Sequence, residues 1–356
     1  MKVLFGICSW GLGHATRDIP LIKRMLEEGH TLTLCGKGRS LELLKKEFKK
    51  KCLYLNIPDY SSPYSKRNFF IPKFVAYVPF YINEIIEEHK RIKKLIYKER
   101  YERIISDNRF GVYSKEIPSY FISHQLRFIV PGRIKPFERV TERFNYLFKN
   151  NFCKFLVPDD RESCLSGELS HNLNYFEKDR IEYLGIISDL KKRDVKEDID
   201  YFISISGPEP QRTIFERRVL AQAPFLRGKV VIALGKPENE KEIVDNHLHI
   251  FGFLERERQE EIMNRAKLVI TRPGYTTVME LAILGKKALF IPTPGQTEQV
   301  YLASYHEKKG NFYSVEQDKL NLREDVEKAK EYKGITCSSL KENGVDKFMR
   351  IVFKEK

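Results

Sequence analysis

The stretch from residue 271 to residue 280 carries side chains that could bind a nucleotide. It runs from Thr-Arg-Pro-Gly to Val-Met-Glu, where a strand-like run gives way to a helix-like one. Gly274 lets a ligand approach the backbone closely, and Thr276 and Thr277 would open a helix whose free N–H groups suit a diphosphate. Glu280 lies about one turn further along the same face, where its carboxylate could accept hydrogen bonds from both hydroxyls of a ribose. The spacing therefore predicts a nucleotide-binding site.

Three further residues extend this constellation. Arg272 ends the strand, and Glu298 and Gln299 begin the next predicted helix with hydrogen-bonding groups suited to sugar hydroxyls. Each residue alone could be purely structural. Together they favour a site for a nucleotide that carries a sugar.

A second glycine-containing loop lies near the start of the chain. Gly11 and Gly13 separate a first strand from a helix-like segment that opens with His14. A dinucleotide site would have a third glycine where Thr16 stands, and an acid after the second strand, where residues 35–37 read Cys-Gly-Lys. Dehydrogenase chemistry is therefore disfavoured. A P-loop is excluded because the loop lacks Gly-Lys-Ser/Thr.

Three polar side chains follow strands of the first half and could face one cleft. His14 could act as a general base toward an acceptor hydroxyl, since imidazole titrates near neutrality, or it could only cap the loop. Asp107 could orient and charge-balance His14, or it could be a solvated turn residue. His124 is expected to shape the acceptor site, because the carboxyl ends of parallel strands share one edge of a sheet.

Strand-like and helix-like segments alternate through both halves of the chain, which is typical of parallel sheets covered on both faces. The predicted fold class is α/β, with two doubly wound Rossmann-like domains facing each other across a cleft. We expect an acceptor-side domain at 1–186, whose last strand is 155–157, and a nucleotide-sugar-binding domain at 187–335. A C-terminal helix at 336–356 could pack back on the first domain.

Composition and charge restrict the class of protein further, with respect to membrane spans, secretion and metal binding. The chain has 356 residues, of which 42% are hydrophobic and 31% charged, and its net charge is +14. No run approaches the roughly 20 apolar residues of a membrane span, and no signal peptide is recognised, so a cytoplasmic location is expected. The six cysteines form no Cys-x-x-Cys pair and are interpreted as reduced core residues, not metal ligands; they are Cys8, Cys35, Cys52, Cys153, Cys164 and Cys337.

Positive charge is concentrated between residues 61 and 150, which hold 18 Lys/Arg against 9 Asp/Glu and indicate an anionic partner. Two basic aromatic segments, 69–98 and 126–149, lie in this part of the chain. Aromatic side chains beside cations suit a membrane interface, although the aromatics could equally belong to the core. Single-stranded nucleic acid could use the same composition. No nucleic-acid motif is recognised, so such a partner is not expected.

On these residues the chain resembles the GT-B glycosyltransferases of the MurG-like group, of the family 28 and family 1 type. The resemblance rests on the loop with His14, the strand end at His124, the glycine turn at Ser206 and Gly207, and the block 271–299. It implies inverting, metal-independent transfer from a UDP-sugar, often UDP-N-acetylglucosamine. The implied acceptor is lipid-linked, at the cytoplasmic face of the membrane. No cofactor is implied, because the nucleotide sugar is a substrate.

The resemblance also implies a role for each residue. Glu280 would hold the ribose, and His14 would lie on the acceptor side with Gly11 and Gly13, paired with Asp107 as in other GT-B branches. The diphosphate would be bound by Ser206, Gly207, Gly274, Thr276 and Thr277, and Arg272 would lie beside the departing UDP. Glu298 and Gln299 would bind the sugar. Phe251 and Phe253 would lie beside the base.

Two departures leave alternatives open. The glycine turn contains Pro208 and Pro210, which cannot donate an N–H to phosphate. Glu298 stands where MurG itself has glutamine, which leaves the donor sugar open. A UDP-sugar epimerase would share this architecture, and a non-catalytic module that binds nucleotide sugar or nucleic acid is the third alternative.

Overall fold

The computed structural model describes residues 1–61, 70–236, 241–335 and 343–354. Cys337, residue 69 of the first basic aromatic segment and residues 336–342 of the predicted C-terminal segment lie outside this range. The chain divides into two compact units, unit 1 with Met1–Asp189 and Leu340–Lys356, and unit 2 with Leu190–Ser339. No helix among the described residues is long and apolar enough to cross a membrane.

Unit 1 is built on a seven-stranded sheet in which every strand is parallel to its neighbours, in the order β3-β2-β1-β4-β5-β6-β7. Its elements are β1 (Lys2–Ile7), α1 (Leu12–Glu27), β2 (Thr31–Gly36), α2 (Gly38–Phe48), β3 (Leu53–Asn56), α3 (Phe70–Lys98), β4 (Arg103–Asp107), β5 (Ser119–Ile122), α4 (Lys135–Tyr146), β6 (Lys154–Val157) and β7 (Ile181–Tyr183). The prediction that 155–157 is the last strand is wrong, because β7 continues the sheet.

The apolar runs form the central strands because both faces of the sheet are covered. Val3, Leu4 and Phe5 in β1 have no exposed surface, and the helical spacing of Ile19 and Ile22 directs one side of α1 onto the sheet. This packing holds the first turn of α1 at the carboxyl end of β1.

Unit 2 repeats the plan, with a sheet in the order β10-β11-β9-β8-β12-β13-β14, in which only the β10–β11 pair is antiparallel. Its elements are β8 (Ile199–Ser204), α5 (Gln211–Gln222), β9 (Val230–Ala233), β10 (Glu242–Asp245), β11 (Leu248–Phe251), α6 (Arg256–Arg265), β12 (Ala266–Thr271), α7 (Tyr275–Leu284), β13 (Lys287–Phe290), α8 (Thr297–Lys308), β14 (Tyr313–Ser314) and α9 (Leu322–Lys330).

After unit 2 the chain returns to unit 1 through α10 (Gly344–Met349) and a π-helical turn (Arg350–Lys354). Phe348 and Val352 are fully buried in the cluster that also contains β1 and α1 side chains. The core of unit 1 is therefore assembled from two distant parts of the chain.

Candidate functional site

The first group of predicted site residues lies where the strand order of unit 1 reverses, between β1 and β4. In doubly wound sheets ligands bind outside the carboxyl ends of the strands at this point. His14 stands in the first turn of α1, directly after β1, and Asp107 is the last residue of β4. Ile7 pairs with Asp107 across the two strands, so the fold brings the histidine and the carboxylate to one edge.

Asp107 holds His14 by a hydrogen bond. Nδ1 of His14 lies 2.9 Å from Oδ2 of Asp107, whose side chain has no exposed surface. Burial alone would raise the pKa of Asp107, but the charge of Arg17 and the bond to His14 outweigh it and hold the pKa well below its usual range. Asp107 is therefore an ionised acceptor, and it favours the His14 tautomer with the proton on Nδ1 and a lone pair on Nε2.

Arg17 connects all three predicted side chains, and the sequence interpretation missed it. Its guanidinium is buried, donates to both carboxylate oxygens of Asp107, and donates from Nη1 to Nδ1 of His124 at 2.7 Å. His124 accepts at Nδ1, which places its own proton on Nε2. Nη2 of Arg17 also lies 2.9 Å from Nδ1 of His14, so Arg17 and Asp107 compete for that nitrogen.

A second carboxyl lies beside this network. Asp18 is fully buried, and burial together with the negative charge of Asp107 raises the pKa of its carboxyl well above the usual range. It is therefore a neutral acid at a pH where Asp107 is ionised.

The helical position of Arg17, three residues after His14, was the only sequence signal for this network. Gly11 and Gly13 are exposed beside it, and the backbone of Gly11 is extended.

The second group lies at the corresponding reversal in unit 2, between β8 and β12. Gly207 follows β8 in a left-handed conformation with φ of +118°. A side chain at this position would begin 3.5 Å from Oγ1 of Thr293 and 3.9 Å from Nε of Arg272. The glycine turn, the end of β12 and the segment after β13 therefore converge on one point.

Thr293 is a site residue that the sequence interpretation did not select. It is buried, and its hydroxyl has no hydrogen-bond partner among the described residues. A buried hydroxyl without a partner costs free energy, so its position beside Gly207 points to a ligand that supplies the missing bond.

Arg272 lies beneath the turn and does not project into open space. It donates to the carbonyl oxygens of Ile291 at 2.8 Å and Gln211 at 3.2 Å, and to the side chain of Gln317. Its guanidinium stacks 4.3 Å from the ring centroid of Phe215. Among the described residues it has no carboxylate partner, and burial lowers the pKa of Arg272 to about 9. The guanidinium is a buried positive charge that the described residues do not neutralise.

The start of α7 lies next to this charge. Gly274 is its N-cap and no side chain caps the helix, and Thr276 and Thr277 occupy the first turn. Glu280 is buried one turn later, where Oε1 accepts a hydrogen bond from Nη1 of Arg256 at 2.6 Å. The predicted ribose ligand is thus already paired with an arginine that the sequence interpretation did not consider.

The predicted sugar and base ligands have different surroundings. Gln299 is buried and its Oε1 accepts from the backbone N–H of Thr293 at 2.8 Å, so it supports the Thr293 segment. Glu298 is partly exposed in the first turn of α8. Phe251 is buried at the end of β11, and Phe253 is partly exposed two residues later.

Comparison with known proteins relates the chain to glycosyltransferases. Residues 211–335 match the model of the glycosyltransferase family 28 C-terminal domain. The chain is 24% identical over 336 residues to an uncharacterized glycosyltransferase of Methanosarcina acetivorans, covering 87% of this chain and 82% of the relative. It is 27% identical over 380 residues to the UDP-N-acetylglucosamine--N-acetylmuramyl-(pentapeptide) pyrophosphoryl-undecaprenol N-acetylglucosamine transferase of Clostridium perfringens, covering 96% and 95%.

The chain is a glycosyltransferase similar to the GT-B enzymes of the MurG-like group. The crystal structure of MurG from Acinetobacter baumannii superposes on the glycosyltransferase with a TM-score of 0.60 and 14% sequence identity, over 99% of both chains. The predicted family and the predicted fold class are confirmed. The roles of the individual site residues in this glycosyltransferase stay predictions.

Proposed function

We propose that this glycosyltransferase moves a hexose, N-acetylglucosamine or a close relative, from a UDP-sugar to an acceptor hydroxyl or phosphate by an inverting mechanism without a metal. The observation that carries the proposal is the buried charge of Arg272, which has no acidic partner among the described residues and lies 3.9 Å from where a side chain at Gly207 would begin. Bringing a dianionic diphosphate to this point compensates a desolvated cation. The family relationship supports the same conclusion.

The donor half of the proposal uses four features of unit 2. The first turn of α7, the hydroxyl of Thr293 and the field of Arg272 would stabilise the diphosphate, in the role a metal ion serves in other sites. Glu280 would accept the ribose hydroxyls while keeping or exchanging its bond to Arg256. Glu298 and Gln299 border the sugar position, and Phe251 and Phe253 border the base. No cofactor is required, because the nucleotide sugar is consumed as a substrate.

The chemical step would use the histidine of unit 1. Nε2 of His14 takes the proton of the acceptor hydroxyl while that oxygen attacks the anomeric carbon. The bond from this carbon to the β-phosphate oxygen breaks, and UDP leaves with both electrons. Attack from the opposite face inverts the anomeric configuration. Asp107 stabilises the imidazolium that forms, and the neighbouring His124 shapes the acceptor side.

A lipid-linked acceptor is supported by the surface of α3 and α4 and by the undecaprenol acceptor in the name of the Clostridium perfringens relative. The two helices touch through Tyr81 and Phe144, whose rings are 6.0 Å apart. Around them Phe80, Val140 and Leu147 are 67%, 58% and 69% exposed, while Phe144 packs against the core. Exposed cations accompany them, namely Lys135, Arg139 and Arg143. Each cation near an anionic bilayer contributes about 1 kcal/mol.

Thermal unfolding with and without UDP, UDP-N-acetylglucosamine, UDP-glucose and GDP-mannose tests the donor assignment. A ligand at 100 times its dissociation constant stabilises by about 2.7 kcal/mol. We expect a response to uridine nucleotides that Glu280→Ala abolishes. Glu260→Ala is the matched control, because Glu260 is also buried and paired with an arginine, Arg193. Equal responses in both variants would contradict the donor site.

Product analysis tests the reaction class. We expect UDP release from UDP-N-acetylglucosamine to depend on a polyprenyl-phosphate-linked acceptor and to fall at least about 100-fold in His14→Ala, the scale of a lost general base. His89→Ala, a partly buried histidine of α3, is the control. An isomerised nucleotide sugar formed without acceptor would replace the transferase proposal with an epimerase.

Vesicle binding tests the membrane contact. We expect co-sedimentation with vesicles containing anionic lipid and loss of binding in Leu147→Glu. Leu53→Glu is the control, since Leu53 is 57% exposed on β3 of the same unit. Binding that is equal in the two variants would remove this surface from the proposal.

A further inference from the structure

The loop that follows β6 contains a cysteine, a histidine and an aspartate in hydrogen-bonding sequence. Asp159 has no exposed surface and accepts from the backbone N–H groups of Leu165 at 2.9 Å and Ser166 at 2.8 Å. Nε2 of His171 donates to its Oδ2 at 2.8 Å. Burial alone would raise the pKa of Asp159, but the bonds from His171 and Ser166 outweigh it and lower the pKa. The aspartate is therefore an ionised anchor for the imidazole.

His171 is held so that its second nitrogen faces a thiol. Because Nε2 donates to Asp159, Nδ1 carries the lone pair of the neutral ring. Nδ1 lies 3.5 Å from Sγ of Cys164. The ring stacks on Tyr183 of β7, with centroids 4.7 Å apart, and is 7% exposed, so its orientation is fixed by packing. The carbonyl oxygen of Arg161 lies 3.1 Å from Sγ and is a second acceptor for the single thiol proton.

The other described cysteines have different surroundings. Cys8, Cys35 and Cys52 are buried, and burial raises the pKa of each thiol, for Cys35 to about 12 and for Cys52 to about 11. Cys153 is exposed on the surface. Cys164 is partly exposed, so of these five it alone combines access from solvent with a histidine at hydrogen-bond distance.

We propose that Cys164, His171 and Asp159 form a nucleophilic thiol site that reacts with small, soft electrophiles. In the reaction Nδ1 of His171 takes the thiol proton, and the sulfur attacks the electrophilic carbon. A carbon–sulfur bond forms as the bond to the leaving group breaks, and the leaving group departs with the electron pair. Asp159 stabilises the resulting imidazolium. Around the site, Tyr183 packs on the imidazole ring, Ser166 donates to Asp159, and the guanidinium of Arg161 lies 5.2 Å from the Tyr183 ring centroid.

The site is separate from the His14 network, although it lies at the carboxyl end of β6 in the same sheet. The loop is tied to the segment after β5, because the backbone N–H of Arg127 donates to the carbonyl oxygen of Leu169 at 2.9 Å. A group added at Cys164 would therefore modify the edge of the sheet that also bears His124.

Alkylation of the full-length native protein by iodoacetamide at pH 6.5, followed by peptide mass spectrometry, tests the proposal. An ordinary thiol is about 1% ionised at this pH, since free cysteine has a pKa near 8.5. We expect Cys164 to react at least about tenfold faster than Cys153. Since Cys153 is the more exposed, accessibility alone predicts the reverse. A rate for Cys164 equal to or below that of Cys153 would overturn the proposal.

His171→Gln provides the second measurement. Glutamine can still donate to Asp159 but cannot take the thiol proton, so we expect the Cys164 rate to fall about tenfold while the Cys153 rate stays the same. An unchanged Cys164 rate in the folded variant would show that the histidine does not activate the thiol. If the variant does not fold, the comparison of the two thiols within the wild-type protein decides the question.

Discussion

Replacement of Arg17 by methionine should destabilise unit 1 severely. The guanidinium is buried and supplies two of the hydrogen bonds to Asp107, whose side chain has no exposed surface. Removing it leaves a buried carboxylate beside His14 and the neutral acid Asp18. Loss of one partner of a buried ion pair costs about 3–5 kcal/mol. For a unit of this size that corresponds to a drop in Tm of roughly 6–20 °C.

The single tryptophan makes the assay selective for unit 1. Trp10 lies in the loop before α1, where its indole N–H donates to the carbonyl oxygen of Tyr60 at 2.7 Å. Urea unfolding followed by its fluorescence therefore reports on the unit that contains Arg17. Arg24→Met is the control, because Arg24 lies half-buried on the same helix and pairs with the accessible carboxylates of Glu28 and Asp346. We expect the control to cost less than about 0.5 kcal/mol.

A double-mutant cycle separates the bare carboxylate from lost packing. If the cost arises from an uncompensated Asp107, then Asp107→Asn should restore most of the stability in the Arg17→Met background, so the two effects will not add. A loss below about 1 kcal/mol in Arg17→Met, or strictly additive effects in the cycle, would refute the assignment of Arg17 as the compensating charge.

The free energy of unfolding of wild type and of Arg17→Met should depend on pH in opposite ways through the Asp107 carboxylate. The folded pKa of Asp107 lies below its unfolded value, so this carboxylate contributes stability above an unfolded pKa of about 3.9 and loses the contribution as pH falls through the lower folded value. In Arg17→Met the folded pKa rises instead. The difference in unfolding free energy between wild type and variant should therefore be largest at neutral pH, narrow as pH falls through the raised folded pKa of the variant, and narrow further below about 4, where wild type loses its own contribution.

Three further substitutions test other features of the two units. Asp18→Asn should retain or raise stability, increasingly so from about pH 4 upward, because the raised folded pKa of Asp18 makes its ionisation unfavourable; a loss above about 1 kcal/mol by Trp10 fluorescence would contradict this. Gly207→Ala should cost unit 2 about 1 kcal/mol or more at φ of +118° and weaken UDP binding in calorimetry, and unchanged values in both would count against the turn. Thr293→Val should stabilise the ligand-free protein by about 1 kcal/mol yet weaken UDP binding, whereas a destabilised variant with normal affinity would show that the hydroxyl has a structural partner.

The sequence predicted which strand ends bear the candidate catalytic residues. It did not predict the buried hydrogen bonds that hold those residues in place. The positions of His14 and Asp107 at strand ends follow from periodicity, and the parallel sheet then brings them to one edge. Arg17 was missed because a charged residue in an amphipathic helix is usually solvated, and its burial depends on the approach of β4 and β5. The short strands β10 and β14 carry little periodic signal and were not predicted.

Arg272 and Thr293 show a second limit. Their identity suggested, at most, a nearby phosphate. Their informative property is that, among the described residues, Arg272 has no carboxylate partner and the Thr293 hydroxyl has no hydrogen-bond partner. An absent partner depends on every element that packs around a group, and spacing along the chain does not encode it. The same holds for the bond from Arg256 to Glu280, which joins two helices.

The return of the chain to unit 1 determines the order of events on the ribosome. Residues 190–339 are synthesised before α10 and its buried Phe348. Proteins are synthesised at about 5–20 residues per second and domains commonly fold in order from the N-terminus. Here the N-terminal sheet lacks the side chains of α10 for roughly 8–30 s while unit 2 is synthesised, so its apolar cluster is completed last.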